Sequence, residues 1–349
     1  MYINDEIYID DVKNVANVDL SWDQLKNKSV LLTGASGMLG TFLVDVLMYK
    51  NHTENLNIKI YAAGRSVDKA RERFNDYWRD NNFNFVTMEV NNPIDIDIQA
   101  DYIIHAASNT HPKLYATDPV GSLMTNILGT YNLLEYARHN KTERVIFLST
   151  VEIYGEARNA NDIFDESYLG YIDCNTTRAG YPEGKRAGES LCNAYISKYG
   201  MDIVIPRLSR SYGPTMRLDD SKAMSQFIMN GVRREDIILK SKGTQRFSYC
   251  YSADAVLGIF YTWLKGECGN AYNVAGTDEV ISLKDITQII AEFVGKKVIF
   301  NLPNEVENAG FSKVSTCIMD TQKLQKLGWQ PFDTIQSGLK KTIEILRHK

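Results

Sequence analysis

A phenol and an ammonium four residues apart, Tyr181 and Lys185, are the pair in this chain best suited to moving a proton. On a helix that spacing puts both on one face. A free tyrosine titrates near pH 10 and is a useless base for an alcohol at neutral pH, but an adjacent ammonium and a cationic nicotinamide ring stabilise the phenolate. Lys185 can also hold the nicotinamide ribose. Thr150, at the carboxyl end of an earlier apolar run, supplies a hydroxyl to orient the substrate oxygen. In a chain with 20 tyrosines a YxxxK pair arises by chance, so its placement carries the weight. It follows the fifth predicted strand, on the helix expected beside the nicotinamide.

Such a set needs a dinucleotide held next to it. Residues 29–40, SVLLTGASGMLG, read as strand, glycine turn and helix, with Gly34, Gly37 and Gly40 at intervals of three. One glycine makes the tight turn, one lets backbone approach a pyrophosphate, and one lets helix pack on strand. The phosphates then sit on the helix N-terminus. Ser36, Met38 and Leu39 complete that turn. Glu89 and Val90 end a predicted third strand, 85–90, and Ala106, Ala107 and Ser108 follow a fourth, 102–105, where small residues leave room for the cofactor. His105 reads as a strand-end histidine rather than a catalytic one, since no partner acid or nucleophile lies beside it. The strand over 58–63 ends in Gly64-Arg65. An acid at that place binds the ribose 2′-hydroxyl of NAD, whereas an Arg accommodates the 2′-phosphate of NADP or stacks on adenine. Both cofactors stay open.

Strands and helices alternate through 29–205, which predicts an α/β fold: a Rossmann-type doubly wound parallel sheet with a smaller α/β substrate-binding lobe. Helices are expected over 38–47, 67–79, 118–139 and 181–199, and strands over 145–148 and 202–206. The segment RLSRSYGP reads as the turn-rich crossing into the second lobe. There, helices are expected over 222–232, 253–264, 283–293 and 333–346, and strands over 237–239 and 247–251. The division expected is an N-terminal extension, 1–28; a dinucleotide lobe, 29–205 plus about 253–274; and a sugar-nucleotide lobe, 206–252 plus 275–349. The extension shows one short helix, 21–26, capped by Ser21, which covers the sheet edge or reaches a partner.

Composition narrows the class. A net charge of -4 leaves no basic footprint for nucleic acid. The five cysteines, Cys174, Cys192, Cys250, Cys268 and Cys317, are odd in number and lack metal spacing, as in reduced thiols of a cytoplasmic protein. No metal site is expected. No run reaches the roughly 18 apolar residues of a membrane helix, and the first residues are too acidic for a signal peptide.

Together TGASGMLG, HAAS, TNILGT, LSTVEIYG, YPEGK, RLSRSYGPTMRLDD, AYNVAG and KLGW resemble the extended short-chain dehydrogenase/reductases that modify nucleotide sugars. Within that family the TNILGT, EGKR and SYGP segments look most like UDP-glucuronate decarboxylases, followed by dTDP-glucose 4,6-dehydratases and UDP-sugar 4-epimerases. The resemblance implies a tightly held nicotinamide cofactor that oxidises a nucleotide-diphosphate sugar at C4 and is re-reduced in the same turnover. It implies Tyr181 as base with Lys185 and Thr150 as helpers, Glu152 as the base at C5, and a homodimer built from the helices over 118–139 and 181–199. The chain departs from the family at Val151, where dehydratases carry Asp and decarboxylases commonly Ser, and at Arg210, where Asn is common. Arg246 is displaced relative to the usual Arg, and the stretch around Lys313 replaces a further one. Arg210 and Arg217 are the guanidiniums available for a C6 carboxylate, with pyrophosphate contact or an ion pair to Asp219 or Asp220 as alternatives. A net NADPH-consuming carbonyl reductase and a non-catalytic cofactor sensor are the rival readings, the latter disfavoured by an intact Thr150, Tyr181 and Lys185.

Overall fold

The computed structural model describes residues 2–109, 117–159, 162–276, 280–301 and 314–349. Lys313 lies outside them. The strands of the central sheet are all parallel, in the order Ala271–Val274, Ile203–Leu208, Arg144–Phe147, Tyr102–His105, Ser29–Thr33, Lys59–Gly64, Phe83–Thr87, with Ser149–Thr150 continuing alongside Ile203–Leu208. Val30, Leu31 and Leu32 are fully buried, as a strand covered by helices on both faces requires. From Ser29–Thr33 the chain builds outward to Phe83–Thr87, then returns to lay Tyr102–His105 on the other side of the first strand. That reversal opens a crevice at the carboxyl ends of these two strands, the place where doubly wound sheets bind ligands.

Smaller pairings flank the sheet. Arg246–Phe247 lies between Ile281–Ser282 and Thr316–Met319, and Tyr249–Tyr251 pairs with Arg210–Tyr212. The expected strand over 247–251 is thus split at Ser248, its halves serving different sheets. The RLSRSYGP segment is strand on both sides of Ser209 rather than a turn. The third strand sits two residues earlier than expected and ends at Thr87, so Glu89 and Val90 lie in the loop beyond it. The charged helix stops at Arg73, where Phe74 turns its fully buried ring into the core, and a short 3-10 turn, Asn75–Tyr77, follows.

The N-terminal residues contain more structure than expected. Ser21 precedes a 3-10 turn, Trp22–Leu25, but its side chain makes no cap bond. Ahead of it a helix, Glu6–Ala16, is capped by Asp5, which accepts from the amides of Ile7 and Tyr8. Its buried face, Tyr8, Val12 and Val15, packs into the main core, with the Tyr8 ring edge-on to Phe42 at 5.3 Å. Asp11 is buried on the same helix; it accepts from the Tyr251 hydroxyl at 2.6 Å and pairs with Lys341 at 2.7 Å.

Candidate active site

The glycine turn closes against the neighbouring strand. Gly34 has φ +69°, and a Cβ there would stand 2.8 Å from the backbone of Ala106 and Ala107; one on Gly40 would meet the Gly34 carbonyl at 2.5 Å. Only glycine allows this approach of helix, turn and strand end. Gly37 is the N-cap of helix Met38–Glu54, so the free N–H groups of its first turn open onto the crevice. A pyrophosphate fits there by charge and by donor geometry. Ser36 and Leu39 lie in this turn, and the Met38 carbonyl accepts from the Thr215 hydroxyl at 2.8 Å.

On the facing strand end, the Ala107 amide donates to the Thr33 hydroxyl at 3.2 Å, and Ser108 bonds Asn126 at 2.8 Å. His105 is buried, with Thr33 at 2.8 Å from Nδ1 and Thr130 at 3.4 Å from Nε2. Desolvation, with a smaller contribution from Lys185, lowers its pKa to about 3, so it is a neutral spacer. Val90 is buried against Gly129. Arg65 is exposed, and its guanidinium lies 3.7 Å from Glu89.

The helix Gly180–Tyr199 carries Tyr181 and Lys185 on its buried face. The Tyr181 hydroxyl bonds the Thr150 side chain; burial still holds its pKa well above 10, with the Glu152 charge adding to the rise. Lys185 Nζ donates to the Leu148 carbonyl at 2.8 Å and lies 4.9 Å from the Phe147 ring centre. Desolvation brings its pKa down to about 8. The structure therefore brings Thr150, Tyr181 and Lys185 together at one strand end.

Thr150 also caps the 3-10 turn Val151–Tyr154 by accepting from the Glu152 amide at 3.3 Å. Val151 is buried and apolar. Glu152 is flanked by two guanidiniums: Arg210 at 3.2 Å and Arg178 at 3.9 Å. Arg178, three residues before Tyr181, escaped the sequence reading because it lies ahead of the expected helix, in the 3-10 turn Thr177–Ala179 that leads into it. Arg210 stacks on Phe247 at 3.8 Å. Arg246 is exposed, and it is its neighbour Phe247 that touches Arg210. Arg217 is exposed and pairs with Asp219 at 2.7 Å. Among the described residues, no group of His, Cys, Asp or Glu could hold a metal ion, and no helix is long and apolar enough to cross a membrane.

The family model described as the NAD dependent epimerase/dehydratase family matches residues 30–275. UDP-glucuronic acid decarboxylase 6 of Arabidopsis thaliana is 29% identical over 317 residues, 90% of this chain and 87% of that protein. The Xenopus tropicalis UDP-glucuronic acid decarboxylase 1 is 28% identical over 92% of this chain and 72% of its own length. In fold, the chain is similar to the Bacillus cereus UDP-glucuronic acid 4-epimerase in complex with UDP-glucuronic acid and NAD, with TM-score 0.77 and 22% identity over 92% of this chain and 99% of that one. The Bacillus anthracis dTDP-glucose 4,6-dehydratase in complex with NAD gives TM-score 0.76 and 19% identity over 92% and 97%. The match over the glycine turn, both strand ends and the Tyr181 helix means that this chain belongs to the NAD-dependent epimerase/dehydratase family.

Proposed function

We propose that the protein modifies a nucleotide-linked sugar through transient oxidation at C4, and that its substrate is a uronic acid that it decarboxylates or epimerises. The observation that carries the uronate reading is the pair of guanidiniums, Arg178 and Arg210, beside Glu152 and next to Tyr181. A sugar carboxylate entering there meets bidentate donors. Arg217 is a third such donor if it leaves Asp219, and Arg246 is exposed on the strand that carries Phe247. The relatives named for UDP-glucuronic acid agree in substrate chemistry.

The cofactor is NAD, and the residues that would hold it are Gly34, Ser36, Gly37, Met38, Leu39 and Gly40 on one side and Ala106, Ala107 and Ser108 on the other, with Arg65, Glu89 and Val90 available to the adenosine. When bound, its nicotinamide supplies the reversible two-electron oxidation at C4. Tyr181, once ionised, takes the proton of the C4 hydroxyl while Thr150 holds that oxygen by a hydrogen bond, and the Lys185 ammonium stabilises the phenolate. The 4-keto group acidifies the C5 proton and weakens the bond to a C6 carboxylate. In decarboxylation Arg178 and Arg210 orient the C6 carboxylate, the C5–C6 bond breaks to release carbon dioxide, its electron pair moves into the C4–C5 enolate, and C5 then takes a proton from solvent; where C5 itself is deprotonated, Glu152 takes that proton and returns it. Tyr181 then returns its proton to the C4 oxygen. Val151 can donate no proton to a departing C6 hydroxyl, which disfavours 4,6-dehydration.

The division into a dinucleotide lobe, 29–205 with 253–274, and a sugar-nucleotide lobe, 206–252 with 275–349, serves this chemistry by closing the cleft from both sides. A homodimer through helices Pro119–His139 and Gly180–Tyr199 is supported by the exposed apolar residues Val120, Met124 and Tyr131 on the first of them. Five unpaired thiols suit a reducing cytoplasm. The assay offers UDP-glucuronate, UDP-hexoses and dTDP-glucose with NAD, and follows carbon dioxide, C4 inversion and 4-keto-6-deoxy sugar separately. Turnover of UDP-glucuronate is expected; efficient formation of the 4-keto-6-deoxy product would overturn the reading.

A further inference from the structure

Helix Gly180–Tyr199 grips one strand end at three points, one helical turn apart. Tyr181 bonds the Thr150 hydroxyl, Lys185 holds the Leu148 carbonyl, and Glu189 accepts from the Ser149 hydroxyl. Residues at i, i+4 and i+8 share a helix face, so one stripe registers three consecutive residues of the chain. Glu189 is buried, and Arg207 reaches its two oxygens at 3.0 and 2.7 Å. Arg207 pairs with Ser149 in the strand register and is braced by the Tyr154 hydroxyl at 2.8 Å and the Glu166 carbonyl at 2.9 Å. Proton transfer at C4 or C5 does not call on either residue. A buried ion pair is also an expensive way to fill space, since apolar residues of similar volume avoid the desolvation cost.

We infer that Glu189, fixed by Arg207, is a positioning residue for this site: it holds Ser149–Thr150 in register with Tyr181 and stands as a buried carboxylate one helical turn beyond Lys185. This rests on the roles given above to Thr150, Tyr181 and Lys185. The groups around Lys185 are Glu189 and Cys192 from its own helix and His105 and the Phe147 ring from the sheet, with Arg207 on the carboxylate of Glu189. Burial keeps the Cys192 thiol protonated and His105 neutral. Glu189 is the carboxylate in that set, and with it removed the desolvated ammonium loses its proton more readily.

Glu189→Gln keeps the shape and removes the charge. In the NAD-loaded protein, the alkaline limb of the pH–rate profile is expected to move down by about one pH unit, with roughly a tenfold loss of turnover near pH 8. A second readout needs no sugar: the titration of Lys185, followed by the resonance of its labelled ε-carbon against the matching Lys185→Arg protein, should move to lower pH. It tests the inference even if the wild type accepts none of the sugars offered. Glu189→Gln strands the Arg207 charge and should lower the melting temperature, which the double variant Glu189→Gln/Arg207→Gln restores. A restored melting temperature with a still-shifted Lys185 titration supports the inference. An unshifted titration in the single variant, or one that returns to normal in the double variant, reduces the pair to packing and overturns it.

Discussion

Arg210 and Glu152 form a 3.2 Å ion pair that ties the strand Arg210–Tyr212 to the helical turn following Thr150. Because Arg210 is stacked on Phe247, its guanidinium holds the Glu152 carboxylate in one place. Glu152→Gln should therefore slow any step that removes a proton from C5 by about 10²-fold, and leave simple C4 epimerisation near its wild-type rate. Solvent-deuterium incorporation at C5 and C4 inversion, measured on the same sample, check the two halves. Equal losses in both would give Glu152 a purely structural place.

Tyr181→Phe removes one hydroxyl and almost no packing area. Turnover should fall by more than about 10²-fold while NAD binding and the melting temperature hold. Activity close to wild type would take Tyr181 out of the mechanism.

Glu89 lies 3.7 Å from Arg65, so a 2′-phosphate approaching that guanidinium also meets a carboxylate. This arrangement should favour NAD. Glu89→Gln is expected to tighten NADP binding roughly tenfold, the scale of one charge-assisted contact, with little change for NAD. Titration calorimetry with both cofactors decides it, and unchanged NADP affinity would place Glu89 away from the ribose.

Asp45 is buried among Tyr8 and Tyr77, and desolvation raises its pKa to about 7. The unfolded chain titrates this group near 3.9. The native state therefore binds the proton more tightly, and the stability it contributes is complete below about pH 4 and lost as pH rises through about 7. Asp45→Asn retains an acceptor for the tyrosine hydroxyls. Its melting temperature should match the wild type below about pH 4 and exceed it increasingly from there up to about pH 7 and above, with a residual slope from Asp254, also raised to about 7 by burial. Parallel curves at all pH values would contradict this.

Tyr8 is fully buried between the N-terminal helix and Phe42. Tyr8→Ala should cost about 3–5 kcal/mol by denaturant unfolding, the range for large aromatic truncations. A loss under about 1 kcal/mol would mean that the helix sits on the core without contributing to it.

The elements that read most clearly were those with one dominant signal. Tyr102–His105 is an uninterrupted buried run, and the spacing of Gly34, Gly37 and Gly40 announces strand, turn and helix. The N-terminal helix was hidden because Asp11 sits on its inward face, where a periodicity argument wants an apolar residue. Its partners, Tyr251 and Lys341, are far away in sequence and invisible to a local pattern. The third strand was misplaced because Asn84 interrupts its apolar run, and the split at Ser248 depends on sheet pairings no local propensity encodes. At the site, Tyr181, Lys185 and Thr150 were legible from type and spacing. Glu189 carried a helical spacing signal, four residues from Lys185, but acids and bases at such intervals are also ordinary surface pairs, and Arg178 lies in a turn ahead of the helix where no periodicity points to it.

The tie between Asp11 and Lys341 joins positions 330 residues apart. During synthesis the first helix emerges long before its counterion exists, and until then Asp11 can only be hydrated or protonated. The helix is thus secured in two stages: Tyr8 can meet Phe42 soon after both are made, whereas Asp11 is buried at full cost only once Tyr251 and Lys341 arrive to partner it.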